Sequence, residues 1–303
     1  MKKYLPYILG GLLVVGQSSC ATKLYTSYSF QHPREDGSTI HITETKKRVN
    51  RSKKGVKLIR YYEIVHPDVP LSFDGVKIAF LSDLHYKSSL KRRGLSRLIR
   101  SVNEENPQLL LLGGDFYEGC EHIAHMAGSL GEIASSLGKY AVLGNNDYER
   151  CTEELRGEFK KNDIQILEHR VASIVAQKDS LFIAGVKNPF DLQKNGVSPT
   201  KGLQDNQFVL LLTHTPDYAE DVSITATDLV LAGHTHGGQV KIFGKSPVIP
   251  SKYGERFISG LKYTTSGVPV IITNGVGTST LNLRWGVPSE MTIITLYRSK
   301  KPY

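Results

Sequence analysis

Three short apolar segments in the first half of the chain each end in Gly, Asp, Asn or His residues. They are residues 77–82, 109–112 and 140–143, followed by Asp83-Leu84-His85, Gly113-Gly114-Asp115 and Gly144-Asn145-Asn146-Asp147. The apolar spacing from Leu95 to Val102 predicts an amphipathic helix after the first segment, and residues 123–137 predict another. Because parallel strands joined by helices bring their carboxyl ends to one edge of a sheet, we expect the polar residues to meet there.

The second half of the chain is richer in predicted strands. These are residues 181–186, 208–212, 229–231, 240–243, 270–273 and 292–297. Two of the strands end in further histidines, at His214 and in the segment Gly233-His234-Thr235-His236. A mixed β-sandwich flanked by helices accommodates this order, so the sequence predicts an α/β fold with one large catalytic domain.

Seven residues at these predicted strand ends have side chains that bind divalent cations. They are Asp83, His85, Asp115, Asn145, His214, His234 and His236. Carboxylate, imidazole and amide ligands together suit Mn, Fe or Zn, and the lack of cysteine ligands argues against a structural zinc site. Seven ligands are too many for one ion, so we expect two ions that share a bridging carboxylate.

The order of these motifs resembles the calcineurin-like metallophosphoesterases over roughly residues 76–297. The resemblance implies a four-layer α/β/β/α sandwich with mixed sheets, two metal ions with Mn favoured, and hydrolysis of a phosphoester or pyrophosphate bond. The implied ligands are Asp83, His85 and His236 for the first ion, Asn145, His214 and His234 for the second, and Asp115 as the bridge. Asn146 and Asp147 belong to the implied catalytic motif.

Asn146 departs from the family pattern, which commonly has a histidine at this position. Asparagine can donate a hydrogen bond to a phosphate oxygen, but it cannot protonate a leaving group, and a general acid is typically worth about 10²–10⁴ in rate. This loss is serious for an alkoxide leaving group and mild for a phosphate. The substitution therefore favours a pyrophosphate substrate, as in the lipid A precursor pyrophosphatases that the chain also resembles. A weakened phosphodiesterase and an inactive metal-binding relative remain alternatives.

The N-terminal segment predicts attachment to a membrane. Residues 1–20 combine two lysines, a short apolar run and Cys20, which is typical of a secretory signal or a bacterial lipoprotein, with an uncleaved anchor as the alternative. Residues 21–70 are interpreted as a basic juxtamembrane arm and residues 71–303 as the catalytic domain. We therefore expect the protein to associate with a membrane, and the bacterial inner membrane is favoured. The side of the membrane on which the protein lies stays open.

The net charge of +9 lies entirely in the first sixty residues. Residues 22–60 contain 10 basic and 3 acidic residues, whereas residues 61–303 contain 26 of each. A membrane surface explains a basic arm beside an apolar leader more simply than nucleic acid does, and a solvated tail is the third possibility. The expected partners are thus a membrane surface and a phosphate-containing small molecule or lipid, with the oligomeric state open and no nucleic acid.

Three arginines are candidates for substrate binding. Arg92 and Arg93 follow the first metal motif and could bind a second phosphate, although a solvated loop explains them equally well. Arg284, beside Trp285, could contact a base or sugar, with packing as the alternative. Of the three cysteines, Cys120 and Cys151 lie beyond the leader, and two cysteines do not predict a disulfide framework.

Overall fold

The computed structural model describes residues 25–33 and 39–299 of the chain. Its strands are β1 Tyr25–Pro33, β2 Thr39–Arg48, β3 Leu58–His66, β4 Lys77–Leu81, β5 Leu109–Leu112, β6 Lys139–Ala141, β7 Ile164–Ile166, β8 Arg170–Ala176, β9 Asp179–Gly185, β10 Val209–Leu212, β11 Leu229–Ala232, β12 Gly260–Tyr263, β13 Pro269–Ile272 and β14 Glu290–Arg298. The α-helices are α1 Arg51–Lys54, α2 Arg92–Glu104, α3 Ile123–Gly131, α4 Asn145–Glu149, α5 Thr152–Lys161, α6 Leu192–Asn195 and α7 Tyr218–Asp221. The leader lies outside the described residues.

The strands form two mixed sheets. The larger sheet has the order β1-β2-β3-β14-β4-β5-β6-β7, and the smaller has the order β12-β13-β11-β10-β9-β8. Strands β4 to β7 are parallel to one another, as are β9, β10, β11 and β13. The polar segments that follow β4, β5, β10 and β11 therefore leave each sheet in a common direction, as the strand pattern predicted.

Alternating residues of the strands divide the apolar core between the two faces of the larger sheet. Ile78 and Phe80 of β4 pack in the cluster that joins the two sheets, whereas Ala79 and Leu81 pack beneath helices α2, α3 and α5. Short helical segments, including α7 and the turn Gly254–Phe257, contribute Tyr218 and other side chains to the core around the smaller sheet. The predicted α/β architecture with two mixed sheets is confirmed.

The segment interpreted as a basic arm contributes strands to the larger sheet. Strand β3 pairs with β2 on one side and in parallel with β14 on the other, so it is an interior strand. Ile40 and Ile42 of β2 and Ile64 of β3 are buried in the core between the sheets. The fold therefore begins well before residue 71, and the basic residues of this segment accompany alternating apolar ones that the charge pattern concealed.

Arg60 shows why the charge of this segment was misleading. Its guanidinium is buried and pairs with Glu44 at 2.5 Å and Glu290 at 2.8 Å, which joins strands β2, β3 and β14. Burial alone would lower the pKa of Arg60, but the charges of Glu290 and Glu44 more than offset this effect and raise the pKa well above its ordinary value. Arg60 is thus an internal cation and not part of a basic surface.

Three local expectations are also corrected. Residues 240–243 do not form a regular strand, and Val240 makes only isolated bridges to Trp285 and Gly286. Arg92 and Arg93 begin helix α2 and do not lie in a loop. Cys120 and Cys151 are joined by a disulfide with their Cα atoms 6.0 Å apart. Among the described residues, no helix has the length and apolar character needed to cross a bilayer.

Candidate metal centre

The candidate ligands lie on sharp turns at the carboxyl ends of buried strands. The backbone is left-handed at Asp83 (φ 52°), His85 (φ 38°), Asp115 (φ 56°), His234 (φ 67°) and His236 (φ 52°). Non-glycine residues rarely adopt this conformation, and it costs free energy that the surrounding structure must supply. Five such residues in one region indicate that the fold holds their side chains in a required arrangement.

Glycine allows the turns to approach one another. A Cβ atom on Gly114, whose φ is +95°, would lie 2.4 Å from the backbone nitrogen of Gly144. A Cβ atom on Gly233 would lie 2.0 Å from Ser82 Oγ and 2.4 Å from Asp83 Oδ2. Any larger residue at these two positions would push the turns apart, so the glycines are required for the side chains of the site to converge.

The first group of candidate ligands consists of Asp83, His85 and His236. Their ligand atoms all lie within 4.8 Å of one another, and the three residues are buried. The backbone N–H of His234 donates to both carboxylate oxygens of Asp83 at 3.0 Å, which fixes that carboxylate toward the centre. Nε2 of His236 lies 3.4 Å from Asp83 Oδ1. The arrangement matches the set that the resemblance implies for one ion.

The second group consists of Asp115, His214 and His234, whose ligand atoms also lie within 4.8 Å of one another. His214 donates from Nδ1 to the carbonyl oxygen of Gly113 at 2.7 Å, so its Nε2 is directed into the site. Asp115 Oδ2 lies 3.4 Å from His214 Nε2 and 3.5 Å from Nε2 of His85 in the first group. The Asp115 carboxylate therefore stands between the two groups, where a bridging ligand would be required.

Asn145 and Asn146 lie beside the second group at the start of helix α4. The Oδ1 atom of Asn145 is buried and has no hydrogen-bond partner in the described part of the chain, while its Nδ2 donates to Asn146 Oδ1 at 2.8 Å. The backbone N–H of Asn146 donates to Asp115 Oδ1 at 3.0 Å, and its side-chain Nδ2 lies 3.5 Å from His85 Nδ1. Both amides are thus directed toward the cluster.

The protonation states of the candidate ligands differ across the cluster. Burial and the nearby His214 lower the pKa of His234 to about 3, and burial with the charge of His85 lowers the pKa of His236 well below its ordinary value. Burial alone would raise the pKa of Asp115, but His214 and His85 hold it below its ordinary value. Burial alone would lower the pKa values of His214 and His85, but Asp115 raises that of His214 to about 9, and Glu118 and Asp115 raise that of His85. Metal ions bind neutral imidazoles and ionised carboxylates, so His234, His236 and Asp115 are in the binding form, and cations would displace protons from His85 and His214.

Unpartnered buried atoms provide a test of whether metal ions fit this cluster. His85 Nε2 and Asn145 Oδ1 are both buried without a hydrogen-bond partner in the described residues. Nδ1 of His234 and Nε2 of His214 face each other at 3.1 Å. Buried polar atoms are normally satisfied, and leaving one without a partner costs about 1–3 kcal/mol. Divalent cations would satisfy these atoms, so the residues fit two metal ions.

The carboxylate of Asp147 contacts the backbone around the Asp115 turn. Its Oδ2 accepts from the backbone N–H groups of Asp115 at 2.7 Å and Gly144 at 2.8 Å, and its Oδ1 accepts from Phe116 at 2.9 Å. Burial and the charge of Asp115 raise the pKa of Asp147 to about 7. Its carboxylate is thus occupied in holding the Asp115 turn, which makes Asp147 a positioning residue.

The three arginines proposed for substrate binding also have different surroundings. Arg284 donates to the carbonyl oxygens of His236, Asn274 and Gly277 and lies 3.1 Å from His236 Nδ1, so its guanidinium supports a candidate ligand. Arg92 and Arg93 are exposed on the first turn of α2. Within the described chain, neither makes a hydrogen bond or ion pair with the seven candidate ligands. None of the three is thereby placed in contact with a substrate.

Two residues of the site were not predicted from the sequence. The carboxylate of Glu118, in the loop after β5, lies 2.6 Å from His85 Nδ1. Phe190, which is 47% exposed, lies beside the second group with its ring centroid 5.1 Å from that of His234. Neither residue belongs to a motif, and only the path of the two loops brings them to the site. Glu118 orients a candidate ligand, and Phe190 forms an apolar wall at the mouth.

Comparisons with known proteins show which family this chain is similar to. The sequence model of the calcineurin-like phosphoesterase family matches residues 76–238. Phosphodiesterase YaeI of Escherichia coli (strain K12) is 30% identical over 229 residues, which cover 73% of this chain and 82% of the relative. The uncharacterized metallophosphoesterase YkuE of Bacillus subtilis (strain 168) is 27% identical over 233 residues, covering 75% and 81%. A solved archaeal phosphodiesterase aligns with a TM-score of 0.36 at 20% identity, covering 68% of this chain and 88% of that structure.

Proposed function

The chain belongs to the calcineurin-like phosphoesterase family and is a phosphoric ester hydrolase, and we propose that it cleaves a lipid-linked or nucleotide-linked phosphoester or pyrophosphate at a membrane. The position of Asp115 carries the proposal of a binuclear mechanism. Its Oδ2 lies within 3.5 Å of a histidine from each ligand group. A carboxylate in this position would be available to two ions at once.

In this proposal, the two groups with Asn145 would hold two divalent cations, and Mn is the favoured metal. Bound cations would supply positive charge for the phosphoryl oxygens and would acidify a water molecule. Glu118, Asp147 and Arg284 position the ligands through the hydrogen bonds described above. The donor set of carboxylates, imidazoles and an amide supports Mn, Fe or Zn over a metal that requires thiolates.

We assign to Asn146 the role of contacting the scissile phosphate. Its amide lies beside His85, so its Nδ2 can donate a hydrogen bond to a phosphoryl oxygen next to the ligand cluster. An amide cannot supply a proton to the departing oxygen. A phosphate leaving group needs no proton, since it leaves as a stable anion. This chemistry supports a pyrophosphate bond as the preferred substrate.

The membrane location of the enzyme is proposed from two observations. The leader predicts export or anchoring, with the lipoprotein and signal-anchor alternatives both retained. Disulfides persist chiefly in oxidising compartments, so the bond between Cys120 and Cys151 supports a position outside the cytoplasm. Together they favour a substrate that is presented at the outer side of the inner membrane, such as a lipid-linked phosphate compound.

A phosphodiesterase for a soluble nucleotide-type substrate is the second candidate. The relative YaeI bears the name phosphodiesterase, and the two chains align over most of their lengths. Phe190 at the mouth of the site would provide an aromatic face for a base. This candidate requires neither a lipid nor a membrane, so substrate preference separates it from the first.

The experiment that tests the proposal is hydrolysis by the purified full chain, loaded with Mn in detergent. Its substrates form a panel of a lipid-linked pyrophosphate, a nucleotide diester and a small chromogenic diester. The first proposal predicts the highest kcat/KM for the lipid-linked pyrophosphate, because kcat/KM reports transition-state stabilisation directly. Asp115→Ala serves as the inactive control, since it removes the proposed bridge.

Two results would contradict the proposal in different ways. A higher kcat/KM for the soluble diesters would favour the second candidate. Stoichiometric metal without turnover of any phosphate compound would reject both candidates and leave a metal-binding protein. Repeating the panel with Zn and Fe determines whether the preference depends on the metal.

A further inference from the structure

Two loops beside the metal centre, residues 239–252 and 275–289, pack together on one side of the site. The backbone N–H of Lys241 donates to the carbonyl oxygen of Trp285 at 2.8 Å, and that of Trp285 donates to Gln239 at 3.1 Å. The side chain of Gln239 donates to the carbonyl oxygens of Ser279 and Leu281, both at 3.0 Å. These bonds make the two loops one surface, which we call the loop face.

The loop face exposes large apolar side chains. Their exposed fractions are 56% for Ile242, 102% for Phe243, 72% for Val248, 63% for Leu281, 52% for Leu283 and 67% for Trp285. Single exposed apolar residues are ordinary, but six on two adjoining loops indicate a surface that contacts something apolar. Phe243 stands on a tight turn closed by a hydrogen bond from Ile242 to Lys245 and projects fully from the protein.

Positive charge accompanies these side chains. The two loops contain three lysines, one arginine and no aspartate or glutamate. Arg284 is directed inward and Lys252 pairs with Asp221, so Lys241 and Lys245 provide the charge of the loop face. Lys241 also lines a neighbouring cavity of about 690 Å³, together with Arg48 and Lys262 and with the acidic Glu44 and Glu255. Within the described residues, Lys241 and Lys262 have no ion-pair partner, although Lys262 is half-buried. Unpaired cations at the edge of the apolar loop face complement a partner with an anionic surface.

The loop face is continuous with the metal centre. Arg284, between the exposed Leu283 and Trp285, donates to the carbonyl oxygen of His236 at 3.2 Å and lies 3.1 Å from its Nδ1. Asn274 lines the same cavity as Lys241, and a Cβ atom on the adjacent Gly275 would lie 2.6 Å from Asp83 Cβ. A binding partner that covers the loop face would therefore lie beside the candidate metal ligands.

We propose that the loop face docks on an anionic lipid membrane. Side chains such as Phe243 and Trp285 enter the interfacial region, where aromatic residues are favoured, and the lysines attract the lipid phosphates. The apolar side chains of the loop face project from the surface and have cations around them. This arrangement fits the deformable interface of a bilayer better than a protein–protein interface, which has a flat apolar patch. The consequence for substrate choice rests on the proposed function, because docking would hold the metal centre at the level of lipid head groups.

Trp285 makes this proposal directly measurable, since it is the one tryptophan of the chain. The full chain is mixed with vesicles of phosphatidylcholine alone or with added phosphatidylglycerol, and tryptophan emission is recorded. We expect a blue shift on adding vesicles and quenching by lipids brominated in their acyl chains, both larger with phosphatidylglycerol. The leader contains no tryptophan, so attachment through the leader alone cannot produce these signals.

Two sets of variants separate the apolar and charged parts of the surface. Phe243→Ser combined with Leu283→Ser should abolish most of the quenching, whereas Val175→Ser, at a site 65% exposed on β8, should leave it unchanged. Lys241→Glu combined with Lys245→Glu should weaken the response to phosphatidylglycerol vesicles on the order of tenfold. Far-ultraviolet circular dichroism checks that each variant is folded.

The outcomes distinguish this proposal from the proposed function. If the protein sediments with vesicles while the emission of Trp285 stays unchanged, the loop face does not touch the membrane and the proposal is overturned. Equal losses in the Val175→Ser control would also contradict it, because the effect would not be specific to the face. Quenching without hydrolysis of any phosphate substrate would instead contradict only the proposed function.

Discussion

The carboxylate of Glu118 lies 2.6 Å from Nδ1 of His85, on the far side of the ring from Asp115. A hydrogen bond from Nδ1–H to this carboxylate leaves the Nε2 lone pair directed into the cluster. Removing such a partner of a metal-binding histidine typically lowers metal affinity about 10–100-fold. We therefore expect Glu118→Ala to weaken binding at the first group by this factor, measured by calorimetric titration of the metal-free protein with Mn.

Two companion variants make the Glu118 experiment specific. Glu118→Gln should have a smaller effect, because its amide oxygen can still accept the hydrogen bond from His85. Glu121→Ala should have none, since this nearby carboxylate is exposed and forms its ion pair with His122 and not with His85. An equal loss of affinity in Glu121→Ala would mean that the general negative charge of the loop, and not the orientation of His85, is responsible.

Replacing members of the cluster should alter metal content in a distinct pattern. We expect about two ions per chain in protein saturated with Mn, measured by elemental analysis. Asp115→Ala should lower the content at both sites, because its carboxylate lies between the groups. His214→Ala should mainly empty the second site, because its Nε2 lies 3.4 Å from Asp115 Oδ2 and 3.1 Å from His234 Nδ1, both in the second group. Similar partial losses in both variants would contradict the assignment of the bridge.

The convergence of the ligand cluster could be predicted because it depends on local sequence. Each apolar strand is followed directly by the residues concerned, and parallel strands bring such residues to one edge. Glu118 could not be predicted, since its position depends on the path of the loop after β5. The contacts of Asp147 could not be predicted either, because its spacing from Asn145 does not reveal that its oxygens turn toward backbone amides.

The N-terminal part of the fold was missed for a different physical reason. Strand β2 alternates buried and half-exposed residues, with Ile40, Ile42 and Glu44 inside, but its lysines dominated the composition. A buried arginine such as Arg60 cannot be distinguished from a surface arginine unless its partners are known, and Glu290 lies 230 residues away. The disulfide was missed likewise, because a separation of 31 residues carries no signal of pairing.

Arg60 should contribute strongly to the stability of the fold. Replacing it with methionine would leave Glu44 and Glu290 buried without their cation, and breaking a buried pair typically costs about 3–5 kcal/mol. We expect Arg60→Met to lower the free energy of unfolding by this amount in urea titrations. Lys57→Met is the matched control from the same basic segment, because Lys57 is exposed and should change stability little. Equal stability of the two variants would contradict the internal role of Arg60.

Deletion of residues 2–60 tests the same relationship on a larger scale. It removes β1 and β2 and the first residues of β3, and so exposes the edge of β14 and the core residues around Ile64. We expect the shortened protein to be insoluble or unfolded by circular dichroism, with no bound metal. A soluble product that retains its metals and its activity would show that the first strands are dispensable to the catalytic fold.

Glu44 should make part of this stability dependent on pH. Burial alone would raise its pKa, but Arg60 and Lys46 hold the pKa of Glu44 below its ordinary value of 4.5. Its contribution is therefore present above that value and is lost as the pH falls through the lower pKa of the folded state. Between about pH 6 and pH 3, Glu44→Gln should lose less stability than the unmodified protein in denaturant titrations. Parallel curves for the two proteins would contradict this linkage.

Asn146 provides the most direct test of the preferred leaving group. If the natural leaving group is a phosphate, no proton donor is needed, and Asn146→His should change pyrophosphate cleavage little. The same variant should raise kcat/KM for esters with poor alcohol leaving groups, by up to about 10²-fold if the imidazole acts as a general acid. The measurement is the ratio of kcat/KM values across a series of leaving groups, with Asn146→Ala as the control that removes the hydrogen-bond donor as well. Equal acceleration of both bond types in Asn146→His would mean that asparagine is no adaptation to the leaving group, and the preference for an anhydride would lose its mechanistic support.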